Sequence, residues 1–297
     1  MSGGRTVYLS WPGGSVTLSG DEADEAPGLY VSGGGIKGWL GTPDPKWKLT
    51  ELQSGDGAHA VEDEAVLYAS RVVSVAVQAR GGSRDEVVGL LSRLARCAHN
   101  EVTMRVVDGT SDTFVRGYPS TSIDPEWHRD WAEGTLTLEC PDPRRYATRA
   151  SACELRTDLS QGSGGLWYSG GSSALSYPLF YGEQVEDARN VGTLHNAGTA
   201  AAWPTVTVTG PIGPTVRIAC VAGGGRHVVE WAGRATGTPL VLDFLSRRAT
   251  MGGLDVSRQL VGRGFAPVPP GGDMRLALDP SLEGDGWARC EVRDTYV

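Results

Sequence analysis

The chain has 297 residues, of which 42 are glycine and 17 are proline, and its formal net charge is −8. The length suffices for two domains, and frequent turn residues without low-complexity repetition predict many short strands. No apolar run approaches the roughly 18 residues that would span a bilayer, so we expect no membrane insertion. Residues 1–70 carry ten acids and four bases, which disfavours tight nucleic-acid binding because little there neutralises phosphates.

Cysteine spacing and the N-terminus set two further expectations. The five cysteines are scattered and form no CxxC pair, which predicts buried free thiols instead of a disulfide framework or a zinc site. No apolar signal core follows the first residues, so we expect the product to stay in the compartment where it is made, unless it leaves within a larger assembly.

The first half of the chain alternates strands with one helix. Short strands are predicted at 6–10 and 16–18, followed by acidic and glycine-rich loops that include 33–35. The first long strand is predicted at 71–79, because valines recur there on one face. Ser83 and Glu86 then form a capping box for an amphipathic helix over 84–98, the only long helix that we expect.

Alternating residues predict more strands after the helix, at 102–106, 114–118 and 135–140. The intervening segment 119–134 is predicted to be a polar loop that carries tryptophans. One sheet with one helix makes an α+β domain over 1–148.

The second half is predicted to be all-β. Residues 149–173 are polar and Gly/Ser-rich, as expected of a linker with exposed loops. Residues 174–297 are expected to form a jelly-roll-like sandwich, in which turn residues at Asn196-Ala197-Gly198 precede the strand at 205–209. Turn residues separate its predicted strands at 205–209, 216–220, 227–231, 239–244 and 275–278.

Three motifs, in this order along the chain, resemble the distal tail proteins of siphovirus-type bacteriophages. Each motif lies beside a predicted strand, and the order of the three carries the resemblance more than any single one. The motifs are Asp142-Pro143-x-x-Tyr146; Asn196-Ala197-Gly198-Thr199 with Pro204 and Gly210-Pro211; and Gly237-x-x-Leu240-x-Leu242-Asp243 with Arg248 and Gly252-Gly253.

The resemblance implies a structural virion protein with two parts. Its N-terminal domains would close into a hexameric ring that continues the tail tube, and its galectin-like C-terminal sandwiches would project outward. The implied partners are the major tail tube protein, the tape measure protein, the baseplate hub or tail-associated protein, and receptor-binding components. DNA would pass through the ring without specific binding. The implied location is the virion tail tip, after assembly in the host cytoplasm, and no cofactor is implied.

Interface residues are expected in the 118–131 loop, the acidic loops and the Asp142 turn. Asp142 either pairs with arginines across subunits or caps the turn that Pro143 enforces. The acids either line the ring's lumen, face a partner or solubilise their loop. The interface candidates are Tyr118, Trp127, His128, Trp131, Asp142, Arg144, Arg145 and Tyr146, and the acids are Glu62, Asp63 and Glu64.

The sequence lacks the motifs that are typical of metal-dependent or serine hydrolases. The histidines have no metal-ligand spacing, and neither an HExxH nor a Gly-x-Ser-x-Gly motif occurs, so we do not expect an enzyme. The alternative to the tail protein is a carbohydrate-binding module at a bacterial surface. Its sugar-stacking platform would use aromatic residues that could instead fill the sandwich core or an interface, namely Trp167, Tyr168, Trp203, Trp231 and Trp287.

Overall fold

Antiparallel strands build almost all of the ordered framework of this chain. The computed structural model describes residues 5–20, 26–60, 66–124, 128–157, 190–279 and 284–297. These fall into two units, residues 1–149 with 296–297, and residues 150–295. The described residues contain a single α-helix, which lies in the first unit. The predicted fold class, mainly β with one helix in the N-terminal part, is therefore confirmed.

The first unit consists of two sheets and a helix. Strand β8 begins in this unit and continues past its boundary. The elements are β1 (Thr6–Trp11), β2 (Gly14–Leu18), β3 (Gly28–Lys37), β4 (Arg71–Arg80), α1 (Arg84–Ala95), β5 (Val102–Asp108), β6 (Ser111–Ile123), β7 (Trp131–Cys140) and β8 (Arg145–Arg156).

Strand β6 belongs to both sheets of the first unit. Up to Gly117 it pairs with β5, and from Tyr118 onward it pairs with β7. A Cβ at Gly117 would lie 2.4 Å from the carbonyl oxygen of Glu139, so only glycine allows this close crossing. One sheet therefore has the order β2-β1-β5-β6-β8, and the other has the order β3-β4-β7-β6.

The prediction of a loop over 119–134 was wrong at both ends. Strand β6 continues to Ile123, and β7 already begins at Trp131. Pro119 suggests a strand end because proline has no N–H to donate. From Tyr118 onward, β6 pairs with β7 on one edge only. Backbone N–H groups on its other edge have no neighbouring strand to bind, so proline is tolerated there.

The apolar alternation of β4 supplies the centre of the first core. Val73, Val75, Val77 and Ala79 are all buried, as predicted, and β4 pairs with β7 along its full length. Residues 33–35, predicted as a loop, instead form a bulge within β3, where the register with β4 shifts. A Cβ at Gly34 would approach the Cβ of Ala76 to 2.8 Å, which explains the glycine there.

Helix α1 begins at the predicted cap. The amide of Glu86 donates to the Ser83 hydroxyl at 3.4 Å, and the Glu86 carboxylate accepts from the amide of Gly82 at 2.9 Å. The helix ends at Ala95, three residues before the predicted end. His99 follows with a φ of 63°, a left-handed conformation that stops further helical winding.

The second unit is a sandwich of two sheets. A short 3-10 turn at Ser257–Gln259 joins two of its strands. The remaining strands are β9 (Val191–Asn196), β10 (Thr205–Thr209), β11 (Thr215–Ala222), β12 (Gly225–Ala232), β13 (Leu240–Asp243), β14 (Arg248–Met251), β15 (Leu254–Asp255), β16 (Leu260–Arg263), β17 (Gly272–Leu278) and β18 (Trp287–Tyr296).

Inward side chains of both sheets make one apolar core. One sheet has the order β16-β12-β11-β17-β9, and the other contains β15-β14-β13-β10-β18 followed by β8. Val206 and Val208 of β10 are fully buried, as the Thr/Val alternation predicts. Strand β9 was not predicted, because Gly192, Thr193 and His195 interrupt its apolar pattern.

Candidate assembly surface

The Asp142 motif is a hydrogen-bonded turn. One carboxylate oxygen of Asp142 accepts from the backbone amide of Arg144 at 3.1 Å and from its Nε at 3.0 Å. The other oxygen accepts from the Tyr146 hydroxyl at 2.5 Å. Burial, and then the Asp142 carboxylate, raise the pKa of Tyr146, so this hydroxyl remains a donor. Of the two alternatives for Asp142, the turn cap is the one that this structure contains.

Replacing Tyr146 with phenylalanine tests this turn. Because the lost hydrogen bond joins a neutral donor to a carboxylate, we expect the free energy of unfolding to fall by about 2 kcal/mol. Urea denaturation of the purified chain measures the change. Tyr118→Phe is the matched control, since Tyr118 is 56% exposed and should lose less than about 0.5 kcal/mol. Equal stability of the two variants would contradict the role assigned to Tyr146.

Arg145 lies inside the first unit, unlike the surface position expected for an interface residue. It is 7% exposed, and its guanidinium group lies 5.6 Å from the ring centroids of both Trp39 and Tyr296. Burial lowers the pKa of Arg145. Its cation–π contacts give it a packing role, so we leave it out of the proposed contact surface.

Arg71 is buried near Arg145 and donates to four backbone carbonyls. Its Nη1 donates to Gly38, Trp39 and Gly41 at 2.6, 3.1 and 2.7 Å. Its Nε donates to Pro143 at 2.7 Å. Sequence reasoning missed this residue because it begins a strand whose apolar alternation draws attention to the neighbouring valines.

The segment between β3 and β4 exposes apolar side chains. We call residues 38–60 and 66–70 the arm. Its two ends run antiparallel, since the amide of Lys46 donates to Leu67 and the amide of Ala69 donates to Asp44. Exposed apolar groups at this density are typical of a protein contact surface. These residues are Leu40 (71% exposed), Trp47 (40%), Leu49 (49%), Leu52 (37%) and Leu67 (61%).

The acids of the arm are exposed where the structure describes them. Asp44, Glu51 and Asp56 are exposed on the arm. The candidate acids Glu62, Asp63 and Glu64 lie outside the described residues, so their proposed role in the lumen or at a partner is untested.

One of the other aromatic candidates, Trp131, lines a cleft beside the β6–β7 hairpin. His128 stacks on Trp131 with 3.6 Å between ring centroids. Trp131 lines the cleft, which has a volume of about 470 Å³, together with Gln78, Arg80 and Asp130. Arg84 of α1 donates to the carbonyl of His128 at 3.0 Å, which ties the helix to the hairpin. Trp127 lies outside the described residues.

The three platform candidates that the structure describes, Trp203, Trp231 and Trp287, differ in exposure. Trp231 is buried in the core and donates from Nε1 to the carbonyl of Val256 at 3.3 Å. Trp203 packs against the same core. Trp287 is partly exposed, and Trp167 and Tyr168 lie outside the described residues. The core-filling alternative therefore holds for two of these tryptophans.

Neither a metal site nor a membrane helix is found in the part of the chain that the structure describes. Within those ranges, His, Cys, Asp and Glu side chains form no group of three or more that could hold a metal ion. None of the helices there is long and apolar enough to cross a membrane.

Asn196 is a second residue whose role sequence reasoning missed. It was interpreted as a turn residue, and its side-chain oxygen does accept from the backbone N–H of Gly198. It is also fully buried and contacts residues far away in the sequence, including Thr295. The available signal was an asparagine two positions before a glycine, but its distant partners could not be inferred locally.

Comparison with known proteins identifies the fold. No protein-family model matches this sequence, and no curated protein matches it. Among solved structures, the Dit protein of phage SPP1 has a TM-score of 0.62 and 12% identity, covering 98% of this chain and 99% of that chain. A chain of the phage P2 baseplate in its activated conformation has a TM-score of 0.47 and 10% identity, covering 98% of both chains. The SPP1 structure is presented as a paradigm of the hub adsorption apparatus in phages that infect Gram-positive bacteria. The predicted resemblance to a distal tail protein is thus confirmed at the level of the fold.

Proposed function

We propose that this chain is a structural protein of a bacteriophage tail tip, a distal tail protein whose copies close into a hexameric ring. The observation that carries the proposal is the fold, which is shared over nearly the whole chain with the SPP1 Dit protein. The three sequence motifs support it independently, because they resemble the same family. The proposal of six subunits in the ring comes from that sequence resemblance.

In the proposed ring, the first unit supplies the contacts between neighbouring copies. The exposed apolar residues of the arm favour burial against another protein surface. The cleft beside Trp131 and the Asp142 turn lie in the same unit and complete the proposed contact surface. The ring would join the tail tube protein and tape measure protein to the baseplate hub and the receptor-binding components at the virion tail tip.

DNA would pass through the ring without being bound. The acidic balance of residues 1–70 suits this role, because a negative wall repels phosphates and keeps DNA from adhering. We therefore place Glu62, Asp63 and Glu64 on the lumen side in this proposal. A map of the assembled ring with these residues on its outer rim would refute that placement.

Electron microscopy of the purified full-length chain tests the proposal directly. We expect six-fold rings, and light scattering coupled to size exclusion should give the mass of a hexamer. A second sample, mixed with tail tube protein, tests whether the ring forms on a tube template. Monomers in both samples would refute the proposed function.

A double variant of the arm tests the contact surface. Trp47→Ser with Leu49→Ser should weaken association at least about 100-fold, because burying each side chain contributes about 1.5–3 kcal/mol. Mass photometry across a dilution series measures the shift from rings to monomers. The matched control is Leu254→Ser with Val261→Ser, since both residues are at least 70% exposed in the second unit. Equal effects of the two double variants would exclude the arm as the contact surface.

A further inference from the structure

Two cysteines of the second unit lie near each other in the sandwich. Cys153 lies on β8 and Cys290 on β18, which are neighbouring strands of one sheet. The amide of Thr157 donates to the carbonyl of Gly286 at 3.3 Å, and Arg145 lies against Tyr296 at the other end of the two strands, so the strands run antiparallel and Cys153 lies opposite Cys290. Cys290 is fully buried, whereas Cys153 is partly exposed, and both are free thiols. The sequence places them 137 positions apart, so their proximity could not be inferred from spacing.

A glycine of the opposite sheet makes space for the two cysteines. Gly192 of β9 lies against Cys153, and a Cβ there would be 2.6 Å from the Cys153 sulfur and 3.0 Å from its Cβ. No side chain can therefore replace the hydrogen of Gly192 without displacing the thiol. This packing holds the Cys153 sulfur in place beside its partner.

The two thiols differ in access and in acidity. The neighbouring Cys290 thiol lowers the pKa of Cys153, which favours the thiolate. The Cys153 thiol, and then burial, raise the pKa of Cys290. The partly exposed sulfur of Cys153 is thus suited to attack an external disulfide. The buried sulfur of Cys290 is placed to displace the thiol that this attack leaves attached to Cys153.

We propose that Cys153 and Cys290 form a dithiol site that reacts with low-molecular-weight disulfides, such as oxidised glutathione, and closes to an intramolecular disulfide. The Cys153 thiolate attacks one sulfur of oxidised glutathione, forms a mixed disulfide and releases one glutathione thiolate. The Cys290 sulfur then attacks the Cys153 sulfur, its proton passes to a glutathione thiolate, and the second glutathione leaves. Two protein thiols are oxidised to one disulfide, and one oxidised glutathione is reduced to two thiols.

The cross-link would tie β8 to β18 and stabilise the second unit. Because the bond restricts the unfolded chain, the oxidised protein should melt about 5 °C or more above the reduced protein. Thiols stay reduced in a bacterial cytosol and meet oxidants outside the cell. A protein assembled inside a cell and then released would therefore acquire this bond after release. The inference concerns the second unit alone and does not depend on ring formation.

Titration of the full-length chain with oxidised glutathione tests the proposal. After alkylation of the remaining thiols in denaturant, peptide mapping by mass spectrometry should identify a Cys153–Cys290 disulfide and the loss of two of the five thiols. Cys290→Ala should trap one glutathione on Cys153, because the second step is removed. Cys153→Ser should leave Cys290 unmodified, because Cys290 is fully buried.

Cys220→Ala is the matched control, because Cys220 is another buried thiol of this unit. Its disulfide yield should equal that of the unmodified chain. Retention of all five thiols under conditions that oxidise a reference dithiol would overturn the proposal. A disulfide that includes Cys220, or a glutathione adduct that persists on Cys153 when Cys290 is present, would overturn it as well.

Discussion

Asn196→Ala is expected to lower the free energy of unfolding of the second unit by about 4 kcal/mol. Truncation leaves several buried backbone groups without partners, and each costs about 1–3 kcal/mol, partly offset by local relaxation. Urea denaturation gives the magnitude. Hydrogen exchange by mass spectrometry locates the loss, which we expect in β9, β17 and the end of β18.

The magnitude follows from the number of partners that one buried amide holds. Asn196 is fully buried and makes five hydrogen bonds to the backbone. Its Oδ1 accepts from two amides and its Nδ2 donates to three carbonyls. The partners are the amides of Gly198 (3.0 Å) and Thr295 (3.2 Å) and the carbonyls of Ala200 (2.9 Å), Val268 (3.3 Å) and Pro269 (3.2 Å).

Two further substitutions separate this network from a general loss of polarity. The side chain of Asn190 donates from Nδ2 to the carbonyl of Leu278 at 3.2 Å, and its loss in Asn190→Ala should cost about 1 kcal/mol. Asn196→Asp keeps the acceptor but replaces the donor, so it should destabilise at least as much as alanine. Wild-type stability of Asn196→Asp would show that the three carbonyl contacts contribute nothing.

Arg71→Met should lower the free energy of unfolding of the first unit by about 3 kcal/mol. Methionine fills a similar volume but leaves the carbonyls of Gly38, Trp39, Gly41 and Pro143 without this donor. Removing a buried charge recovers part of the loss, since burial and then the charge of Arg145 lower the pKa of Arg71 in the folded protein. Thermal and urea denaturation measure the net effect.

The position of Arg71 predicts a second consequence. Three of its acceptors lie where the arm leaves β3, so hydrogen exchange at 38–41 should rise before the unit unfolds. Arg105→Met is the control, because Arg105 pairs with Asp112 at 2.7 Å on a partly exposed surface and such pairs contribute at most about 1 kcal/mol. If Arg71→Met were as stable as the unmodified chain, the free energy gained by removing the buried charge would equal the free energy lost with the hydrogen bonds.

Sequence patterns located the elements that have strong local periodicity. The valines of β4, the Thr/Val alternation of β10 and the Ser83 cap of α1 all depend on residues a few positions apart. Short strands of the second unit, such as β9 and β15, carry too few apolar positions to be recognised. The β6–β7 hairpin was hidden because Pro119 resembles a strand end.

The two residues that sequence reasoning missed, Arg71 and Asn196, depend on distant partners. Arg71 meets Pro143, 72 positions later, and Asn196 meets Thr295, 99 positions later. No periodicity encodes such contacts. The motifs that carried the family resemblance are turn-forming residues, since Asp142 and Asp243 each accept from a backbone amide two positions on. Turns are local, and this is why the resemblance was recognisable while the contact surface was not.

The pairing of β4 with β7 has a consequence for synthesis on the ribosome. Val-rich β4 can pair with β3 as it emerges, but its other edge stays open until Trp131–Cys140 has been made. An open apolar strand edge invites intermolecular pairing. Nascent chains that pause between these strands should therefore be held by chaperones, and slow translation there should reduce the yield of soluble protein.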